Sequence, residues 1–184
     1  VESLEGLSAR DISKKLPYSY ESITLGLTCL NDLGLCQKVS KGTKSKIIQF
    51  SSKGKELWDK AADYLIDPVE KRVYCDYLAT ESTFAKCNIN ALSHYTWLNP
   101  ENSLMLMMSR KELQGLITEK VLHNMNEFDG NVMIEVWKYP VVALLGNDNE
   151  WVDKLSLAIS LREDDEPRVE GEIERLINEL EWKD

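Results

Sequence analysis

Residues 19–55 constrain this chain more than any other stretch. Ser19 stands where a helix N-cap belongs, just after Pro17 and Tyr18. A serine hydroxyl there takes one of the amide hydrogens that the first turn leaves unpaired. Ile23, Leu27, Leu30 and Leu33 follow at spacings of four, three and three, the period of one buried helix face. Gly34 comes next, placed to adopt a positive φ and stop the helix. Leu35 and Cys36 open an apolar strand, and Ile47 to Phe50 forms a second. Between and beside them lie Lys38, Lys41, Lys44 and Lys46 around Gly42, so the pattern predicts a hairpin with a basic tip. Ser52-Lys53-Gly54-Lys55 then begins another helix, which carries Leu57, Trp58, Ala61, Ala62 and Leu65 and breaks at Asp67-Pro68.

Upstream, Ser8-Ala9-Arg10-Asp11 has capping-box spacing, with an acid at the third helical position. Ile12 and Leu16 give that helix an inward face, Leu7 is placed as its staple, and Pro17 ends it. Two short helices joined by a tight turn, then a hairpin, make a winged helix-turn-helix pattern. The stretch resembles the DNA-reading part of MarR-like bacterial regulators. The matching pieces are Leu30-Asn31-Asp32-Leu33-Gly34-Leu35 and Ser51-Ser52-Lys53-Gly54-Lys55-Glu56-Leu57. The resemblance implies DNA binding and a further helix that would lie before Val1.

The net charge of −9 argues against nucleic acid until its distribution is read. Residues 1–55 hold nine basic and five acidic side chains, a net +4; the rest hold 13 and 26, a net −13. A basic head can meet phosphate while an acidic body stays in solution. No apolar run reaches the ~20 residues of a membrane helix, and the acidic start Val1-Glu2-Ser3-Leu4-Glu5 lacks the apolar core of a signal peptide. Cys29, Cys36, Cys75 and Cys87 form no CxxC pair. The spacing predicts reduced, mostly buried thiols in a cytoplasmic protein, with Cys29 and Cys36 in apolar surroundings. A zinc site from Cys75, Cys87, His94 and His123 finds no support in their irregular spacing, and no metal or cofactor is expected.

Residues 69–184 read as one mixed α/β domain following a DNA-binding domain at 1–66, so the chain as a whole is α+β. Val69 to Leu78 is apolar and aromatic; 89–98 suggests a short helix stopped by Asn99-Pro100; Ser103 to Met108 suggests a buried strand. Ser109 with Glu112 caps a helix from Arg110 to about Glu119. After the turn Asp129-Gly130-Asn131, Val132 to Tyr139 alternates as a strand, with Val132, Ile134 and Val136 on one side and Met133, Glu135 and Trp137 on the other, ended by Pro140. Asn147-Asp148-Asn149 reads as a loop. Asp153 caps a well-buried helix from Lys154 to Leu161, and Pro167 opens a last helix with an acidic face. Ala91-Leu92-Ser93-His94-Tyr95-Thr96-Trp97-Leu98, Ile134-Glu135-Val136-Trp137 and Val152-Asp153-Lys154-Leu155-Ser156-Leu157 are similar to the C-terminal part of MarR-like regulators and to the organisation of AbiEi-type antitoxins.

The residues expected to meet DNA are Lys14, Lys15, Lys38, Lys41, Lys44 and Lys46 on phosphate, joined by Lys53, and Ser19, Tyr20, Ser22, Thr24 and Thr28 on base edges or phosphate. Against this, lysines also guard and solubilise an exposed hairpin. Between Tyr18 and Leu35 there is no Arg or Lys, so the bidentate guanine contact is missing. The expected function is transcriptional regulation by operator occupancy on double-stranded DNA, without enzymatic activity, in a chain that can homodimerise. The alternative is an antitoxin-like interaction module whose acidic C-terminal domain binds a partner protein. A nuclease reading rests on Glu135 and Lys138, which have two residues between them where such motifs have one, and Glu135 is expected to be an edge charge instead. Met105, Met107 and Met108 with Trp97 and Trp137 suggest either a ligand pocket or core filler.

Overall fold

A computed structural model describes residues 4–41, 45–80, 84–139 and 150–182. Lys44, Gly42, Pro140 and the loop Asn147-Asp148-Asn149 lie outside the described residues. The architecture is α+β, with helices and strands distributed over two units. Of the described residues, 4–65 with 181–182 form one unit and 66–180 the other.

In the first unit, α1 (Ala9–Lys15) starts at Ser8, whose hydroxyl accepts from the Asp11 amide, and α2 (Tyr20–Asp32) starts at Ser19, whose hydroxyl accepts from Ser22. Gly34 ends the second helix at φ +71°, a conformation that costs other residues a steric clash. Strands β1 (Cys36–Lys41) and β2 (Ser45–Phe50) pair antiparallel from Cys36 opposite Phe50 to Lys41 opposite Ser45. Helix α3 (Gly54–Ala61) follows and tightens into a 3-10 turn, Ala62–Tyr64. Ile12, Ile23, Leu27, Cys36 and Ile48 form the core, with Leu4, Leu7, Leu16, Leu30 and Phe50 against it. Leu33 departs from the expected stripe: it caps α2 and is exposed, because the helix ends one residue before it. The free edge of β2 is covered by the start of the chain, where Gly6 donates to Ile48 O and Ile48 donates to Leu7 O, both at 2.9 Å.

In the second unit β7 (Val132–Trp137) is central. It pairs antiparallel with β3 (Val69–Cys75) and parallel with β5 (Leu104–Ser109). Strand β5 passes into α5 (Arg110–Glu119), closed by a full capping box between Ser109 and Glu112. A small antiparallel pair, β4 (Tyr77–Leu78) and β6 (Leu122–His123), lies apart from this sheet. Leu113 and Leu116 of α5 pack on the face bearing Val132, Ile134 and Val136. Ala91 and Leu92 of α4 (Asn88–Tyr95), Leu157 of α6 (Lys154–Ser160), and Val169 and Leu176 of α7 (Pro167–Asn178) pack on the face bearing Met133 and Trp137. The alternation of β7 therefore separates two cores rather than core from solvent, and all six of its residues are buried. The methionines split accordingly, Met105 and Met107 into one core and Met108 into the other, while Trp97 is 87% exposed and belongs to neither.

A β-bulge between Val69 and Lys71 sets two steps of β3 against one of β7 and makes Glu70 the extra residue. At the other end of the same pairing, Gly130 passes Cys75 so closely that an added Cβ would lie 2.5 Å from the Cys75 carbonyl oxygen. The obstacle is backbone and cannot rotate away. Gly130→Ala is expected to cost about 1–3 kcal/mol, read as a lowered urea midpoint at unchanged m.

Candidate nucleic-acid interface

Helix α2 buries Ile23 and Leu27, and its opposite face carries Glu21, Leu25, Thr28 and Asp32, all exposed. That face has two carboxylates, a leucine that is 67% exposed, and no cation. The hairpin brings one to it: Lys38 Nζ donates to Thr28 Oγ1 at 3.2 Å, and the Thr28 hydroxyl in turn donates to Thr24 O at 2.9 Å. The β1–β2 register explains how. Cys36, Lys38 and Ser40 share a hairpin face with Phe50, Ile48 and Lys46, and buried Cys36 and Ile48 fix that face against the helices. Lys38 and Lys46 therefore lie on the helix side of the hairpin. Lys41 lies on the other side, level with Gln37, Val39, Ile47 and Gln49. The basic tip read from the sequence is divided between two faces.

The expected base-reading residues fare unequally. Ser19 and Ser22 are exposed but engaged with each other, the Ser22 amide at 3.1 Å from Ser19 Oγ and the two hydroxyls 3.1 Å apart. The Thr24 hydroxyl oxygen is buried without a hydrogen-bond partner among the described residues, so it faces inward. Tyr20 and Thr28 remain on the outside. Lys14 and Lys15 are exposed in the last turn of α1, where the helix dipole also favours a cation. Lys14 sits 3.8 Å from Asp11, a pair too exposed to hold it. Lys53 is exposed at the start of α3. The surface thus offers ammonium groups for phosphate and few uncommitted groups for base edges.

Other sequence-derived candidates resolve differently. Glu135, expected at an edge, is fully buried in the central strand. Its Oε1 accepts from Arg72 Nε at 3.0 Å and from Asn88 Nδ2 at 2.8 Å, and its Oε2 accepts from Trp137 Nε1 at 3.0 Å. Arg72 is its cross-strand neighbour on β3, and Asn88 is the first residue of α4, at φ +55°. Asparagine tolerates that left-handed conformation better than most residues. Lys138 lies past the strand and donates to Asp67 O at 2.9 Å, away from the carboxylate.

His94 stacks on Trp151 at 4.3 Å and His123 on Tyr77 at 3.9 Å. Cys75 and Cys87 belong to different cores. Among the described residues no three His, Cys, Asp or Glu are grouped to hold a metal ion. Cys29, expected in apolar surroundings, is exposed on α2, while Cys36, Cys75 and Cys87 are buried. Burial pushes the Cys36 and Cys75 thiols up, and burial beside Glu135 pushes Cys87 well above its ordinary value. No helix among the described residues is long and apolar enough to cross a membrane.

Set against known proteins, the chain matches no family model, no curated protein and no solved structure.

Proposed function

We propose that the first unit is a winged helix-turn-helix that binds duplex DNA, in a bacterial cytoplasmic regulator that acts by occupying an operator. On this reading α2 enters the major groove and the β1–β2 hairpin is the wing. The observation that carries it is the Lys38–Thr28 contact, which joins the basic hairpin to the outward face of the helix. Lys38, Lys41 and Lys46, with Lys14, Lys15 and Lys53, supply phosphate contacts, and Tyr20 and the Thr28 methyl group supply what base reading there is. Glu21 and Asp32 oppose the approach of DNA, so affinity comes chiefly from the backbone and sequence preference is shallow.

Selection of bound fragments from randomised duplex DNA tests this. Enrichment by the full chain, lost when Lys38 and Lys46 are both changed to glutamate, is the expected result. A recovered motif would be short and weak. No enrichment by the unaltered chain overturns the reading.

One observation favours a second reading. Leu25 is 67% exposed between Glu21 and Asp32 on one ridge of α2. An apolar residue flanked by carboxylates suits a basic protein partner, here on the first unit rather than on the acidic C-terminal domain of the antitoxin-like alternative. Capture of such a partner, abolished by Leu25→Ser in a chain that fails to enrich DNA, would favour a protein-binding role for the first unit.

A further inference from the structure

The second unit holds an open cleft of about 440 Å³ where β5 and β7, running parallel, both end. Sheets of this kind gather ligands at the carboxyl ends of their strands, because the chain leaves the layer there. The volume falls within the ~300–1,000 Å³ usual for small-molecule sites. Three cations line it, Arg110, Lys111 and Lys138, against one carboxylate, Glu70. This runs against the charge of the unit, since residues 66–180 contain 11 basic and 21 acidic side chains. A quarter of the cations of an acidic body converge on one hollow.

Each cation is placed differently. Lys138 is tied down, its amide bonded to Pro68 O at 2.8 Å and its Nζ to Asp67 O at 2.9 Å. Arg110 is ion-paired with Glu70, the residue the β-bulge adds to β3. The Lys111 side chain has no hydrogen bond or ion pair among the described residues. The end of α5 is already closed by its own capping box, so the positive character comes from side chains. Tyr139 is half-buried on the wall, edge-on to Trp137 with ring centroids 6.0 Å apart.

We propose that this cleft binds a phosphate-bearing small molecule. Lys111 and Lys138 take the phosphate oxygens as point charges, and Arg110 completes the site to the extent that Glu70 releases it. The body of the ligand lies along the Tyr139 wall. The site does not depend on DNA binding by the first unit.

Calorimetric titration of the full chain with AMP, inorganic phosphate and adenosine tests it. AMP is expected to bind, inorganic phosphate to compete with it, and adenosine to bind at least tenfold more weakly. Lys111→Glu should weaken AMP at least tenfold, and Glu70→Gln should strengthen it several-fold by freeing Arg110. Both changes are at exposed positions, and unaltered thermal unfolding checks that the fold survives. Failure to bind AMP and phosphate, adenosine binding as well as AMP, or AMP binding unchanged in Lys111→Glu would each overturn the proposal.

Discussion

Replacing Glu135 by alanine is expected to destabilise the second unit by about 3 kcal/mol or more. The carboxylate is fully buried, and three side chains converge on it. Its removal leaves the buried Asn88 amide and the buried Trp137 indole N–H without their acceptor, at about 1–3 kcal/mol for each orphaned group. Arg72 contributes less, because its side chain is 41% exposed and can turn to water. Arg72→Ala should therefore cost clearly less than Glu135→Ala, although both break the same ion pair.

Glutamine at position 135 keeps one acceptor but presents an amide hydrogen to a donor, so it recovers only part of the loss. The position of α4 depends on the same contact, since Asn88 begins that helix in a left-handed conformation and bonds the carboxylate directly. Chemical denaturation of the three variants decides the matter. A loss below about 1 kcal/mol for Glu135→Ala would mean that water already satisfies the network.

The second large effect concerns charge at the interface, and it carries two opposite signs. Changing Lys38 and Lys46 together to glutamate removes two cations from the helix side of the hairpin and, on the proposed reading, would put carboxylates facing DNA phosphate. Duplex DNA affinity is expected to fall roughly 10- to 100-fold near 0.1 M salt. Changing Glu21 to glutamine and Asp32 to asparagine is expected to raise it several-fold, because both lie on the outward face of α2. The two neutralisations differ in their effect on the helix itself. Glu21 is in the first turn, where a carboxylate favours the helix dipole, so its loss costs a few tenths of a kcal/mol. Asp32 is at the other end, where its loss is neutral or mildly stabilising. An affinity gain with slightly lowered stability in Glu21→Gln separates the electrostatic effect from a folding effect.

What the sequence revealed follows the range of the interactions. The caps at Ser8, Ser19, Ser109 and Asp153 were legible, because each joins residues three apart. So was the stop at Gly34, which only the local backbone dictates. The alternation of 132–137 was legible as a strand, but not its place at the centre of a sheet. A period of two looks the same whether the second face meets water or a second core. Glu135 was misread for that reason: its partners Arg72 and Asn88 are 63 and 47 residues away, and nothing local announces them.

At the candidate interface the sequence named the lysines and the helix. It did not show that Lys38 and Lys46 share one hairpin face with Lys41 on the other, since that depends on pairing register. Nor did it show that the Thr24 hydroxyl turns inward. The cleft was hidden for a related reason. Arg110, Lys111 and Lys138 meet only because β5 and β7 lie parallel and side by side, with the bulge at Glu70 beside them.

The most direct measurement is the salt dependence of duplex DNA binding by the full chain. Six exposed lysines, Lys14, Lys15, Lys38, Lys41, Lys46 and Lys53, are the proposed phosphate contacts. A plot of log affinity against log salt should then have a slope of about −5, reduced by about two units when Lys38 and Lys46 are replaced. A slope near zero, or one that both replacements leave unchanged, would contradict DNA binding through this surface.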